Sequence, residues 1–356
     1  MTKISSISDM VSWETWDEYK SKEWFVIAAA AGFVLIWSWL FARAPVFSIL
    51  RGYHSLATIM LIWAIFAIGF NILLGQLGLL SFGHAMFWGC GAYAAGLFGV
   101  YVHGDPILMI LVGMFVVVLL GGIVGVISIR LHSVYFAIIT LLFAQFLFFM
   151  AEVPLSGITG GENGLHVLQI EPIFGVIDLN MVLPGVLGSL VYNLNYVFIG
   201  TVFVGVIAFV QRFRKSPYGL ILTAIKNNEE RSQFVGLNIW RYKFVCFLIS
   251  GVISGVAGSL FVIQTNFVPL DSLYWFTSGE VIIMTVLGGI GTLLGPVIGA
   301  FIYLYLENVI QGFDIIGAYW LIILAFVFTV IIWAFPDGLM GLLKRIGSRV
   351  RSFTGK

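Results

Sequence analysis

Asn71, Gln76, Ser81 and His84 are polar side chains set in otherwise apolar sequence, beside a breakable stretch from Gly75 to Gly83. A helix interrupted there would offer backbone N–H groups and a positive helix end to an anionic carboxylate, which is the chemistry of holding a solute rather than transforming it. His84 has two readings. It is either an ionisable residue on a path through the bundle or a buried side chain hydrogen-bonded to a neighbouring helix. Thr140 is a further candidate for the same path. Tyr135 and Gln145 stand five residues to either side of it, roughly 140° around a helix, so the three cannot line one cavity. A hydroxyl in a membrane helix also commonly bonds back to its own backbone. His54, His103, His132 and His166 fall near segment ends or in loops, where structural or solvated roles are expected.

Charged chemistry concentrates in SPYGLILTAIKNNEERSQFVGLNIWRYK, Ser216 to Lys243. Ser216 and Pro217 supply a helix start, Leu220 to Val235 should wind as one short amphipathic helix, and Gly236 is placed to be its left-handed cap. The segment reads either as a loop on a membrane surface or as a helix that plugs into a cleft on a partner, with Lys226, Glu229 and Glu230 as rim ion pairs. Nothing nearby supplies catalysis. There is no GxxxxGK[ST] nucleotide loop, and the terminal Thr354-Gly355-Lys356 lacks the upstream glycine. No catalytic triad, zinc-ligand spacing or paired catalytic carboxylates appear, so the chain should hydrolyse no ATP by itself and hold no metal.

The elements that must position these residues follow from composition. Of 356 residues, 60% are hydrophobic and 10% charged, against roughly 45–50% and 25% in soluble domains. A membrane helix needs about 20 mostly apolar residues. Ten such segments can be drawn: 24–42, 54–74, 82–102, 107–129, 134–150, 195–210, 244–263, 278–287, 295–310 and 318–335. The eighth is too short to span and should be partial or re-entrant, continuing into the glycines behind it. The expected fold is an all-α integral membrane protein with eight to ten true spans among these segments. Its division is an interfacial segment 1–23, a transmembrane domain 24–335 with an exterior loop 151–193 and a charged loop 212–243, and a basic tail 336–356.

Charge placement orients it. With both termini in the cytoplasm, sixteen of the eighteen lysines and arginines fall on the cytoplasmic side, Arg43 and Arg51 excepted. The exterior loop carries Glu152, Glu162, Glu171 and Asp178 with no Lys or Arg. A net charge of +1 gives no reason to expect a nucleic-acid partner. The first 23 residues hold five acids and three lysines, unlike the cationic start of a signal peptide; Trp13, Trp16, Tyr19 and Trp24 read as interfacial anchors. Cys90 and Cys246 sit inside apolar segments as small packing residues.

Glycines mark close approaches and hinges. Gly89, Ala92, Ala95 or Gly96, and Gly99 form a small-residue face that should admit another helix. Gly75, Gly78 and Gly83 on one side, and Gly288, Gly289, Gly291 and Gly295 before Pro296 on the other, read as hinge or packing positions. LGQLGLL (Leu74 to Leu80) and LGGIGTLL (Leu287 to Leu294) echo one another, either as a parallel internal repeat or as similar glycine turns. TGGENGL, Thr159 to Leu165, is a glycine turn on the exterior side.

Six blocks in order resemble one family: NILLGQLGLLSFGHAMFWGCGAYAAGLF, SVYFAIITLLFAQ, TGGENGL, the charged loop with TAIKNNE and GLN, VLGGIGTLLGPVIGA, and FPDGLMGL. Together they are similar to the LivM-type permease subunits of branched-chain amino acid ABC importers, over roughly Ala67 to Leu342. The resemblance implies a multi-pass protein of the bacterial inner membrane that passes branched-chain or related hydrophobic amino acids. Permeases for urea and sugars are relatives, so another small solute is an alternative; an ATP-independent carrier or channel is a rival class. It also implies a second, LivH-type permease subunit, two cytoplasmic ATPase subunits that bind ATP and Mg, and a solute-binding protein outside. Ala224, Lys226, Asn228, Glu229, Glu230 and Gly236 would then form the ATPase-coupling segment, and Thr159, Gly160, Gly161 and Asn163 would contact the binding protein. Glu230 and Gly236 fit the Glu-to-Gly spacing of ABC permease loops, but Arg231 and Ser232 replace the usual alanines. Glu229 and Glu230 both remain open as the coupling residue.

Overall fold

The computed structural model describes residues 26–37, 54–131, 133–167, 170–179, 181, 193–313, 319–334 and 338–341. The anchors Trp13 to Trp24, Arg43, Arg51, His132, residues 182–192 of the acidic loop and the tail from Lys344 lie outside them.

The described chain runs α1 (Val26–Trp37), α2 (His54–Asn71), α3 (Ala85–Tyr101), α4 (Pro106–Ser128), α5 (Ser133–Glu152) and a short α6 (Ser156–Thr159). It continues through α7 (Leu194–Lys215), α8 (Pro217–Asn227), α9 (Glu229–Phe234), α10 (Ile239–Thr265), α11 (Trp275–Gly288), α12 (Gly295–Gln311) and α13 (Trp320–Ala334). Among the described residues, β1 (Leu165–His166) pairs antiparallel with β2 (Phe267–Val268), and Ile173 and Ile177 form an isolated bridge. Among the described residues six helices are long and apolar enough to cross a membrane, while α1 and α11 are shorter apolar helices. The chain is an all-α multi-pass membrane protein.

Polarity is arranged inside out. Buried α10 carries the string Ser250, Gly251, Ser254, Gly255, Gly258, Ser259 and packs against α2, α3 and α4. Outer helices instead turn large apolar side chains outward: Leu111, Phe115, Leu119, Ile123 and Ile127 on α4, and Ile138, Leu142, Phe146 and Phe149 on α5. Lipid tails are as apolar as leucine, so association inside the bundle depends on close backbone approach and interhelical hydrogen bonds. Both are present at α10. A Cβ on Gly91 would overlap the Gly255 carbonyl oxygen, and one on Gly258 that of Trp88. Ser259 Oγ spans the same crossing, donating to Gly91 O at 3.1 Å. The small-residue face expected on α3 meets several neighbours. Gly89 is covered by Ser272 and Leu273, and Gly96 by Leu165 and Val268, while Gly99 meets Met109 of α4 and Ala92 N lies against Gly258 of α10. The crossing with α10 also takes in Gly91.

Helix starts follow local chemistry. Asp105 caps α4 by accepting from Ile107 N at 2.9 Å and Leu108 N at 3.3 Å, ahead of Pro106. Its second oxygen accepts Phe174 N at 2.6 Å, tying the acidic loop to the bundle. Asn193 and Asn238 cap α7 and α10 likewise. All described lysines and arginines belong to α7 to α10 or to Arg130, which lies over the Trp240 ring of α10, 6.0 Å from its centroid. This is the basic end. Asp105, Glu152, Glu162 and Glu171 mark the opposite, acidic end.

Gly258→Ala should cost about 1–3 kcal/mol through overpacking of α10 on α3, whereas Gly122→Ala, which meets nothing within 4 Å, should be neutral. Thermal unfolding midpoints of the two variants in detergent measure the contrast.

Candidate functional site

Two helices, α2 and α11, run to the basic end and stop in glycine loops. Beyond Asn71 the ladder of α2 widens into π turns over Ile72–Leu77, closed by Gly78 at φ +73° with its N–H bonded to Leu74 O at 3.0 Å. α11 ends at Gly288 and the chain turns through Gly291, at φ +76°, into α12. Here the two echoing strings meet. Asn71 Nδ2 donates to Thr292 O at 2.7 Å, and its Oδ1 accepts Gly291 N at 2.9 Å. A Cβ on Gly75 would come within 2.8 Å of Gly291 Cα. Within the second loop Gly288 lies against the Gly295 carbonyl, and Gly295 N bonds Thr292 Oγ1 at 3.0 Å.

Both loops are held from the charged segment. Lys226 Nζ donates to Gly75 O at 2.9 Å, and the Arg214 guanidinium donates to Gly291 O. Cations at helix C-termini meet the negative end of the helix dipole and satisfy carbonyls the ladder leaves open. Burial, with a smaller contribution from neighbouring Cys246, pushes the Tyr218 phenol above its ordinary value. It stays a donor, bonding Tyr242 O at 2.6 Å and joining α8 to α10. A cavity of about 620 Å³ opens between these parts, lined by Gln76, Gln211, Arg214, Thr223, Lys226 and Gly291 among others.

The single helix expected over Leu220 to Val235 is two. Asn228 interrupts it with extended geometry, φ −158° and ψ 104°, and its Oδ1 accepts Arg231 N at 2.8 Å, capping α9. Asn is a strong N-cap, and two acids in the following turn suit the helix dipole, so breaking here satisfies more groups than continuing. Gly236 takes the left-handed conformation at φ +89°. The two glutamates differ sharply. Glu229 Oε2 pairs with Lys243 Nζ at 2.7 Å, and Lys243 is only 10% exposed. Glu230 is exposed on α9 and makes no ion pair among the described residues. Ala224 is exposed, as are Phe234 at 89% and Val235 at 77%.

Of the residues expected on a solute path, Gln76 lines the basic-end cavity and Asn71 is spent on the glycine loops. Ser81, His84 and Thr140 are each 0% exposed. Thr140 Oγ1 donates to its own helix at Ala137 O, 2.9 Å, and its carbonyl abuts Gly83. His84 lies between the Phe66, Phe70 and Phe87 rings, its Nε2 2.9 Å from Ser254 Oγ and 3.3 Å from Ser250 Oγ. Ser250 Oγ also donates to Gly69 O at 2.6 Å and Ser254 Oγ to Ser250 O at 2.9 Å, while the buried imidazole Nδ1 has no hydrogen-bond partner among the described residues. His84 thus joins α3 to α10 and, through Ser250, to α2. At the acidic end Thr159 turns inward, donating to Ala151 O at 2.6 Å, and Gly161 is buried, while Gly160, Glu162 and Asn163 face solvent. Sequence reasoning missed Arg214 and Lys243 as partners, because both read as members of a charge cluster.

A family model described as Branched-chain amino acid transport system / permease component matches residues 52–332. The high-affinity branched-chain amino acid transport system permease protein LivM of Escherichia coli (strain K12) is 26% identical over 280 residues, 75% of this chain and 66% of the relative. LivM of Salmonella typhimurium is 27% identical over 281 residues, with the same coverage. The chain therefore spans just under two thirds of these relatives' length. The ribose import permease protein RbsC of Haemophilus influenzae is 29% identical over 139 residues, 37% of this chain and 42% of its own. No solved structure matches the chain.

Asn71→Ala removes both part-buried bonds to the second glycine loop, from Gly291 N–H and to Thr292 C=O, which should cost about 0.5–1.5 kcal/mol for each bond. Asn71→Asp keeps the acceptor for Gly291 but turns an oxygen toward Thr292 O, and should be no more stable than the alanine variant. Melting midpoints in detergent, with Asn227→Ala on the cavity wall as control, check both.

Proposed function

Because the chain belongs to the family of branched-chain amino acid transport system permease components, of the LivM type, we propose that it is the membrane-spanning subunit of an ATP-binding-cassette importer. Its solutes are branched-chain or related hydrophobic amino acids, crossing the bacterial inner membrane. The basic end lies in the cytoplasm by the positive-inside rule, and the acidic end, with Glu162 and Asn163 on its turn, faces a solute-binding protein. Two ATPase subunits supply ATP and Mg chemistry from outside this chain, and a LivH-type permease completes the pathway. The chain itself is not an enzyme.

The observation that carries this reading is a division of labour on the α8–α9 segment. One side is bonded to the membrane helices through Lys226 and Gly75. The other presents Glu230, Phe234 and Val235 to solvent. An aromatic ring 89% exposed on a charged helix is a surface that a partner must cover. Force applied to α9 by ATPase closure passes through α8 to both glycine loops. Glu230 is the partner-facing carboxylate, and Glu229 is the internal one that neutralises Lys243.

The test uses the assembled transporter in lipid nanodiscs. Glu230→Ala and Phe234→Ala should each lower solute-stimulated ATP hydrolysis roughly tenfold, the loss expected for an anchoring side chain, with membrane insertion intact. Glu229→Ala should lower thermal stability by stranding Lys243. Full coupling in both the Glu230 and Phe234 variants would overturn the assignment. The rival class, an ion-coupled carrier, would draw on Glu280, which accepts from Tyr303 Oη at 3.2 Å, and on Glu307. Reconstituted alone, the chain should show no gradient-driven uptake; uptake would establish the carrier.

A further inference from the structure

The cavity at the basic end holds two cations, Arg214 and Lys226, that no acid neutralises among the described residues. Arg214 spends one N–H on Gly291 O, and Lys226 one on Gly75 O. A guanidinium has five donors and an ammonium three, so both retain several. Neither forms an ion pair among the described residues. Gln211, 6% exposed, also lines the cavity. The site therefore offers unspent cationic donors for a singly charged oxyanion.

A second cavity shares its two framing helices. α1 and α7 enclose an apolar groove of about 250 Å³ lined by Ala31, Val34, Tyr196, Gly200, Thr201 and Val204. Val26 and Gln211, which line the cationic cavity, stand on the same helices nearer the basic end. Val204 and Gln211 are seven residues apart, which on a helix is about 10 Å. The floor of the groove is fixed by Tyr196 Oη, which donates to Val34 O at 2.7 Å. An oxyanion cradle at a membrane interface, with an apolar trough leading from it along the same helix pair, has the polarity profile of a phospholipid. Basic pockets between membrane helices on the cytoplasmic side bind anionic head groups.

We propose that α1 and α7 hold one anionic phospholipid, its phosphodiester on Arg214 and Lys226 and an acyl chain in the Val34–Gly200 groove. Its placement in the inner leaflet rests on the orientation given above; its binding does not. With the head group beside Gly75 and Gly291, the lipid borders both glycine loops and the helix that is bonded to them. The site is thus a means by which membrane composition sets the stiffness of that junction.

Native mass spectrometry of the full chain in detergent tests this, with phosphatidylglycerol, phosphatidylethanolamine and inorganic phosphate as probes. One phosphatidylglycerol should remain bound at collision energies that strip phosphatidylethanolamine. The double variant Arg214→Gln, Lys226→Gln should weaken its retention by about 30-fold, taking roughly fivefold for each interfacial cation. Those side chains also anchor the loops, so a second variant is needed. Thr201→Trp fills the groove, while the hydroxyl it removes bonds only Val197 O. It should weaken phosphatidylglycerol and leave phosphate binding unchanged. Equal retention of the two lipids, or phosphatidylglycerol binding insensitive to both variants, would overturn the proposal. Phosphate binding with no lipid selectivity would make this a free-anion site and also overturn it. A chain lacking residues 1–20 should bind phosphatidylglycerol as the full chain does. Binding that appears only after that deletion would show the acids of the chain's own first segment in the cavity, and would refute the lipid. The readout depends neither on transport nor on partner subunits, so it separates failure here from failure of the importer reading.

Discussion

A helix that stops inside an apolar bundle leaves carbonyls that lipid cannot hydrate, and each must be satisfied by protein. Two helices of this protein, α2 and α11, stop in that way at the same end and against each other. The Asn71 carboxamide stitches them together by serving one donor and one acceptor of the second loop. Lys226 and Arg214 then close the Gly75 and Gly291 carbonyls from outside the bundle. The placement of the α8–α9 segment, the cationic cavity and the mechanical connection proposed for transport all descend from this requirement.

The rest of the interior follows a related economy. α10 is lined with serine and glycine because membrane helices associate by approach and hydrogen bonding rather than by hydrophobic expulsion. Ser250 and Ser254 each donate to a backbone carbonyl and also bond His84 Nε2. One imidazole is thereby held in position across three helices. Such a polar knot costs little when fully paired and much when broken. The unpartnered His84 Nδ1 is the place where its pairing stops.

Membrane residence, the helical class and the helix starts were legible from local sequence. Apolar length and Ser216 before Pro217 are signals that need no tertiary knowledge. The charge asymmetry pointed to one basic end for the same reason. Pairings between distant segments were not legible. Asn71 and Gly291 are 220 residues apart, and nothing in either neighbourhood names the other, although the echo between their glycine strings marked both places. Glu229 and Glu230 are indistinguishable by type and position until Lys243, fourteen residues on, claims one of them. The break at Asn228 was readable in principle, as an N-cap followed by two acids. An amphipathic pattern running through it favoured one helix, and local capping outweighed that pattern. Thr140 and His84 show the converse: polar residues in apolar spans drew a functional reading, and the fold spends them on backbone and neighbouring helices.

We propose that α8 and the two glycine loops move as one body when the proposed ATPase subunits act. Spin labels at Thr223 on α8 and Ile290 in the second loop, with a reference pair from Thr223 to Asn163 at the acidic end, test it directly by pulsed electron paramagnetic resonance in the assembled transporter. With and without ATP, the Thr223–Ile290 distance should stay constant while the Thr223–Asn163 distance changes. A Thr223–Ile290 distance that changes with nucleotide while the reference pair stays fixed would show α8 sliding over the loops, and would contradict the account.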